Sequence, residues 1–337
     1  MKEINRNKKT ENEKAPILYL VVPCFNEEEV IEKSAGIMLK KLQSLEKQKV
    51  ISKDSKVFFV NDGSKDATKE ILISLVEKNR EFAVLNFTTN YGHQNAIYAG
   101  MITAKDYADI VVTIDADLQQ DIEALDRFIA AYQAGNDVVY GVRNDRNTDG
   151  AFKKFTATMY YRFMHLLGCK IISNSADYRL LSKKALNILA EYKESNLFLR
   201  GLIPSIGLNS DIVYFDVKER EAGSSKYTFS KMANLAIDGI TSFSIVPLHL
   251  ICITGFIIVA LSGIMLVVSL VEWAQGKNVP GYTTLLVVML IATGLIMLSL
   301  GIIGEYIAKI YTEVKGRPRY TIDSIIWNES TKNGKKK

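Results

Sequence analysis

The chain has 337 residues and a formal net charge of +5, with 23% charged residues, and its mean hydropathy of +0.05 is high for a purely soluble protein. The modest, diffuse charge, with no dense basic stripe or basic-aromatic array, argues against nucleic acid as a partner and suits an anionic membrane face. Cys24, Cys169 and Cys252 lie far apart without a CxxC, which argues against both a disulfide framework and a zinc site.

Residues 1–15, "MKEINRNKKTENEKA", lack an apolar h-region and read as a disordered lead-in rather than a signal peptide. Residues 16–145 then alternate strand and helix. "ILYLVVPCF" is a continuous apolar run, the mark of a strand buried on both faces. "NEEEVIEKSAGIMLKKLQSL" has helical apolar spacing and acids in its first turn. "SKVFFVND", "FAVLNFT", "DIVVTIDAD" and "DVVYGVR" read as further strands, and "SKDATKEILISLVEK", "HQNAIYAGMITAK" and "DIEALDRFIAAYQAG" as the helices between them. This alternation predicts an α/β fold with an open, mostly parallel, doubly wound sheet.

After Arg143 the pattern changes. Residues 152–168 are aromatic with scattered bases, and core packing and an interfacial helix are both open readings. "YRLLS" and "DIVYFDVKER" look like strands. Residues 226–246 form an amphipathic segment expected to lie in a membrane interface, running into a region that holds two transmembrane helices, 247–310. No Asp, Glu, Lys or Arg occurs from Gly239 to Val271 or from Asn278 to Gly304, and spans are expected at about Leu248–Val271 and Thr283–Ile303. Trp273 and Tyr282 fall where interfacial aromatics are expected. From Lys309 on there are eight Lys or Arg against three acids, so positive-inside logic puts the basic tail, 311–337, in the cytoplasm. Two spans then return the N-terminal domain to the same side, giving a multi-pass protein of the cell (inner) membrane with both termini cytoplasmic. Gly255, Gly263, Gly294 and Gly301 offer close-approach points for a homo-oligomer.

In an open α/β sheet, ligands collect at the carboxyl ends of the strands. Those ends carry Pro23, Phe25, Asn26, Glu27 and Glu28; Asn61, Asp62, Gly63 and Ser64; Asn90 to Gln94; Asp115, Asp117 and Gln119; and Gly141 and Arg143. Singly, each has a plain explanation: Asn26 and Ser64 as helix N-caps, "NDGS" as a tight turn, His93 as an ordinary loop histidine. Together they describe a pocket. No GxGxxG or GxxxxGK[ST] is present, and carboxylates stand where a pyrophosphate would need bare amides. A phosphate here is better neutralised by a hard cation, Mg²⁺ or Mn²⁺, on Asp115 and Asp117.

"VVPCFNEEE", "VNDGSKDAT", "NYGHQNA", "DADLQQD" and "YGVRNDR", in this order, resemble the successive motifs of the inverting glycosyltransferase family 2 with its GT-A fold. The resemblance covers about residues 16–230, with the GT-A domain at 16–225, and the two spans and "VKGRPRY" narrow it to the polyprenyl-phosphate glycosyltransferases. That group includes dolichol-phosphate mannose synthases and bactoprenol glucosyltransferases.

The resemblance implies a donor loop of Pro23, Phe25, Asn26 and Glu28, an acid that reads the base at Asp62, and nearby donor positions at Ser64 and Gln94. It implies a metal and diphosphate site at Asp115, Asp117 and Gln119, with Asp117 in direct metal contact and Asp115 toward the nucleotide. It puts Arg143 near the donor and acceptor phosphates, Asp177 with Arg179 near the reacting carbon, and Arg220 and Lys226 in a phosphate-clamping loop. The chain lacks the Glu-Asp pair of soluble members at the catalytic-base position. A lipid monophosphate, with a second pKa of about 6, is largely a dianion at neutral pH and hardly needs a base. Asp177 then orients Arg179 or the sugar.

The expected reaction is inverting transfer from a nucleotide sugar, UDP-glucose first, to undecaprenyl phosphate, with a separate flippase and a downstream transferase as functional partners. The alternatives are another donor (GDP-mannose or a UDP-aminoarabinose derivative), a polysaccharide synthase, or a non-catalytic membrane scaffold.

Overall fold

The computed structural model describes residues 15–144, 172, 174–194, 197–216, 246–275 and 281–328. They fall into two compact units, one holding the sheet together with residues from Pro318 on, the other holding two apolar helices. The expected helix at 152–168, nearly all of the amphipathic segment 226–246, Arg220 and Lys226 lie outside the described residues.

The first unit begins β1 (Leu18–Cys24), α1 (Ile31–Lys47), β2 (Lys56–Asn61), α2 (Thr68–Lys78), β3 (Phe82–Phe87), α3 (His93–Ala104) and β4 (Ile110–Thr113). A 3-10 turn (Ile122–Ala124), α4 (Leu125–Gln133), β5 (Val138–Arg143), β6 (Ser175–Ser182), α5 (Lys183–Glu191), α6 (Leu199–Ser205) and β7 (Ser210–Phe215) follow, and β8 (Ile322–Trp327) comes after the apolar helices. The eight strands form one sheet in the order β7-β5-β6-β4-β1-β2-β3-β8. All neighbours are parallel except that β6 runs against β4 and β5, and β8 runs against β3.

Strand periodicity explains the double winding. Leu18, Leu20 and Val22 of β1 pack into a core shared with α1, α2 and α4. Tyr19 and Val21 point the other way, into a core shared with α3, α5 and α6. Both faces are buried, so the strand had to be a continuous apolar run. In α3, Gly100 allows close approach to the sheet: a Cβ there would lie 2.4 Å from a methyl carbon of Val21.

The structure refines the sequence reading at three points. The fourth strand stops at Thr113 rather than reaching Asp117, and Leu118 at φ 50° turns the chain immediately afterwards. β6 is inserted antiparallel between β4 and β5, where simple winding would have put β5 next to β4. Within the basic tail, Ile322–Trp327 closes one edge of the sheet.

In the second unit, α7 (Val246–Ala274) and α8 (Tyr282–Val314) are 29 and 33 residues long. Both are long and apolar enough to cross a membrane, with windows at Val246–Met265 and Ile291–Val314 of mean hydropathy 2.3 and 1.8. Phe256, Met265, Met289 and Met297 are among their exposed side chains.

Candidate active site

The switch in strand order lies at β1, with β4 on one side and β2 on the other. Such a point opens a crevice at the carboxyl ends of the strands. The reversal of β6 matters here: it pairs Thr113 with Arg179, so the start of β6 returns to the edge where β4 ends. Thr113 Oγ1 donates to the Asp177 carbonyl at 2.6 Å, holding that junction.

Asp115 is the centre of the crevice. Gln120, itself buried, donates from Nε2 to Asp115 Oδ2 at 2.6 Å and accepts from the Asp115 N–H at 2.8 Å. Asp115 Oδ1 is shielded from water and accepts no hydrogen bond among the described residues. His93 Nε2 stands 3.6 Å from it, too far for one. Burial pushes the Asp115 carboxyl up; His93 and Arg143 oppose this, Asp177 and Asp117 add to it, and the result is about 6. Asp117 is exposed, and its Oδ1 accepts from the Gln119 N–H at 3.1 Å.

An orphaned carboxylate oxygen beside a second, exposed carboxylate fits a hard cation that takes its remaining ligands from water and a substrate phosphate. Among the described residues no group of three or more His, Cys, Asp or Glu forms an all-protein metal cage. Gln119 engages Asp117 through its backbone, and the amide that grips Asp115 is that of Gln120.

Asp177 lies beneath this carboxylate and is 7% exposed. Arg179 NH2 approaches its Oδ1 at 2.5 Å, and Arg200 donates from NH2 to Oδ2 at 3.0 Å and from Nε to Oδ1 at 3.3 Å. Burial works to raise the Asp177 pKa, but Arg200 and then Arg179 outweigh it and hold the carboxyl well below the usual range. Such a group is a poor proton acceptor at neutral pH. Gln94 ties the cluster to α6, donating from Nε2 to Asp177 Oδ2 and accepting from the Leu199 N–H, each at 3.3 Å. His93 Nε2 is 3.9 Å from Asp177 Oδ2.

Arg179, expected with Asp177 near the reacting carbon, is buried beneath that carboxylate. It is 1% exposed; its NH1 and NH2 groups donate to Asp177 and to the carbonyls of Leu199 and Ala176, and its Nε finds no partner among the described residues. So placed, it braces Asp177 from the buried side. Asp177 itself lies inside β6 and caps no helix.

The loops after β1 and β2 are laced together. Asn26 sits at φ 55°; its N–H donates to Ser64 Oγ at 3.0 Å and its Oδ1 accepts from the Lys65 N–H at 2.9 Å. Glu28 Oε2 accepts from the Ala67 N–H at 2.9 Å. Asn26 and Ser64 are therefore loop clamps and not the helix N-caps their residue types suggested, since α1 and α2 start after Val30 and Ala67. Phe25, two residues after Pro23, is 41% exposed.

Asp62 is 2% exposed, and its carboxylate braces the next loop. It accepts from the N–H groups of Tyr91 and Gly92 at 2.6 and 2.9 Å and from Asn90 Nδ2 at 3.0 Å. Burial raises its pKa against those donors. In this arrangement Asp62 shapes the wall of the crevice. Arg143, at the end of β5, is exposed.

The structure thus brings Gln94, Asp115, Asp117, Arg143 and Asp177 together, and gathers Asn26, Glu28 and Ser64 into the adjoining clamp. Sequence reasoning missed Arg200 and Gln120 and passed over His93. Arg200 is embedded in the apolar run "LFLRGL" and offered no strand-end signal.

The sequence profile of Glycosyl transferase family 2 matches residues 19–189. The chain is 43% identical over 314 residues to the uncharacterized glycosyltransferase YkoT of Bacillus subtilis, covering 93% of each. It is 38% identical over 309 residues to the bactoprenol glucosyl transferase of Shigella phage SfX, covering 90% of this chain and 98% of that one. Among solved structures, glucosyl-3-phosphoglycerate synthase from Mycobacterium tuberculosis aligns with TM-score 0.43 and 17% identity, over 68% of this chain and 79% of that one. With the motifs in order on a mostly parallel sheet of GT-A type, the chain belongs to glycosyl transferase family 2 and is a glycosyltransferase.

Proposed function

We propose that the enzyme transfers glucose from UDP-glucose to undecaprenyl phosphate, with inversion, at the cytoplasmic face of the cell membrane. The observation that carries the reading is the unpartnered Asp115 oxygen, set between exposed Asp117 and the Arg200–Asp177–Arg179 cluster. A cation seat beside an arginine-rich wall suits a reaction in which two phosphate-bearing substrates must meet. The kinship to bactoprenol glucosyl transferases supports the lipid acceptor and the glucosyl donor.

The donor lies along the clamp of Asn26 and Ser64, with Phe25 and Pro23 at its mouth and its diphosphate toward Asp115 and Asp117. When bound there, Mg²⁺ or Mn²⁺ supplies positive charge to the leaving diphosphate. A phosphate oxygen of the lipid forms the new bond to the anomeric carbon from the opposite face. The bond from that carbon to the diphosphate breaks, and UDP leaves with the electron pair. The nucleophile is already ionised, so no side chain takes a proton.

Arg143 and Arg200 bring positive charge to the acceptor side, and Arg220 and Lys226 are assigned there by their motif. Asp177 fixes Arg200 in place. The helices α7 and α8 hold the domain at the membrane, with both termini on the cytoplasmic side. Flipping of the product and its later use fall to a separate flippase and a downstream transferase.

The test uses the full chain in detergent with undecaprenyl phosphate, Mn²⁺ and, in turn, labelled UDP-glucose, GDP-mannose and a UDP-aminoarabinose derivative. Lipid-linked label from UDP-glucose alone is expected, and Asp117→Ala should lose it. Label from another donor alone would replace the sugar assignment. Transfer by Asp117→Ala at the wild-type rate would remove the metal assignment.

A further inference from the structure

Two asparagines stand side by side inside the sheet, Asn61 on β2 and Asn86 on β3, with exposures of 1% and 0%. Apart from Lys56 at the start of β2, apolar residues fill the rest of both strands, so two buried amides there need a reason. They are links in a chain of hydrogen bonds. Ser324 Oγ on β8 accepts from Asn86 Nδ2 at 3.1 Å, and Asn86 Oδ1 accepts from Asn61 Nδ2 at 3.0 Å. Asn61 Oδ1 accepts from the Ser64 N–H at 3.1 Å, and Ser64 Oγ accepts from the Asn26 N–H at 3.0 Å. The chain crosses three strands and ends in the clamp between the loops after β1 and β2.

Each link has a direction. An amide has one acceptor end and one donor end, so a fixed partner at one end sets the other. The Ser64 N–H can only donate, so Asn61 turns its oxygen to Ser64 and its nitrogen to Asn86, and Asn86 in turn presents its own nitrogen to Ser324. Asn26 is a non-glycine residue at φ 55°, a conformation that local hydrogen bonds must hold.

The far end is equally well fixed. Asn86 and Ser324 are register partners at the point where the β3–β8 ladder shifts. On either side of Ser324, Asp323 pairs with Lys69 of α2 at 3.0 Å, and Asn328 Nδ2 donates to the Val76 carbonyl at 3.0 Å. Tyr320 stacks on Phe87 with ring centroids 5.1 Å apart. The strand that follows the second apolar helix is therefore built into the donor side of the sheet.

We propose that Ser324 is a positioning residue for the nucleotide: through Asn86 and Asn61 it sets the Ser64–Asn26 clamp. The inference rests on reading that clamp as part of the donor site. Loss of the hydroxyl leaves the Asn86 donor without this partner and loosens the hold of Asn86 on Asn61. The clamp then loosens while the acceptor side, on β6 and α6, is untouched.

The experiment compares Ser324→Thr with Ser324→Val in the full chain. Both side chains are β-branched and of equal shape, and only threonine keeps the hydroxyl. UDP and GDP, each with Mn²⁺, are titrated into wild type, both variants and Asn26→Ala, and the tighter nucleotide is followed. Ser324→Val is expected to weaken binding by about threefold or more, on the order of one hydrogen bond, with Ser324→Thr within twofold of wild type. Where turnover is measured, donor KM should rise in the valine variant and undecaprenyl phosphate KM should not. These constants do not depend on how much protein has folded.

Equal affinities in the valine and threonine variants, with Asn26→Ala weakened, overturn the role of Ser324 and leave the donor site standing. Unchanged binding in Asn26→Ala, or no nucleotide binding by wild type, overturns the donor-site reading and this proposal with it.

Discussion

Arg200 forks onto Asp177, with NH2 3.0 Å from Oδ2 and Nε 3.3 Å from Oδ1, while Arg179 holds the same carboxylate from the buried side. One carboxylate between two guanidinium groups is an anchor, and its depressed pKa makes it a poor base. Its folded value is lowered from 3.8, so its contribution to stability is present above that pH and is lost only as pH falls through the lowered value.

This geometry separates two substitutions. Asp177→Ala leaves the Arg179 charge buried and uncompensated, which should cost about 3–5 kcal/mol. Asp177→Asn keeps the shape and one acceptor and should cost less. Both should lower kcat, because Arg200 loses its fork. Wild-type kcat should show no rise with pH that belongs to Asp177. Thermal melting and a kcat profile from pH 5 to 9 provide the check, and an ascending limb absent from Asp177→Asn would restore the role of base.

Asp115 behaves in the opposite sense. Burial raises its carboxyl from 3.8 to about 6, so the metal-free folded state binds a proton more readily than the unfolded chain. Stability of that state should fall as pH rises between those two values and stay lowered above them. Asp115→Asn removes the penalty and should melt higher than wild type at pH 7.5 in EDTA, with the difference vanishing below about pH 4. A cation needs the ionised carboxylate. Mn²⁺ with UDP should therefore raise the wild-type melting temperature increasingly up to about pH 6 and leave Asp115→Asn unmoved. Equal stabilisation of the two proteins would remove Asp115 from the metal site.

The β-α alternation from residue 16 to 145 was readable because strands buried on both faces must be continuous apolar runs. The acids at Asp115 and Asp117 were readable because polar groups ending such a run stand out. Pairing direction is not written in a short apolar segment, so the reversal of β6 was invisible. With it went the meeting of Asp177 and Asp115. Arg200 was hidden for a related reason: its neighbours in sequence are core residues, and its partner comes from another strand. "IDSIIW" sits in a basic tail and reads as strand only once β3 offers an unpaired edge. Asn26 and Ser64 misled because capping and loop-clamping use the same side-chain acceptors.

The edge strand also carries an aromatic anchor. Trp327 stacks on Phe58 with ring centroids 5.3 Å apart and 10° between planes, and lies 5.1 Å from Tyr107. Trp327→Ala removes the largest side chain of β8 and should cost about 2–3 kcal/mol, somewhat below a fully buried tryptophan. Trp327→Phe should recover most of the loss. Chemical denaturation of the three proteins gives the comparison. If the alanine variant is as stable as wild type, β8 is held by its ladder and by Tyr320 on Phe87 without the tryptophan.

Gly63 gives the sharpest single-atom prediction. It stands between Asp62 and Ser64 at φ +64°, and a Cβ there would lie 2.3 Å from the backbone carbon of Thr89. Left-handed backbone costs a non-glycine residue about 1–2 kcal/mol by itself, and here the added carbon also meets backbone that cannot rotate away. The Thr89 segment leads into the Asn90–Gly92 loop that Asp62 braces, so the displacement passes into the crevice wall. Gly63→Ala should therefore lower the melting temperature and weaken nucleotide binding together. Gly135→Ala is a control for backbone strain alone: φ is +98° there, and nothing lies within 4 Å of an added Cβ. It should lower stability less and leave nucleotide affinity unchanged. Equal losses of affinity in the two variants would show that the close approach at Thr89 plays no part in shaping the donor site.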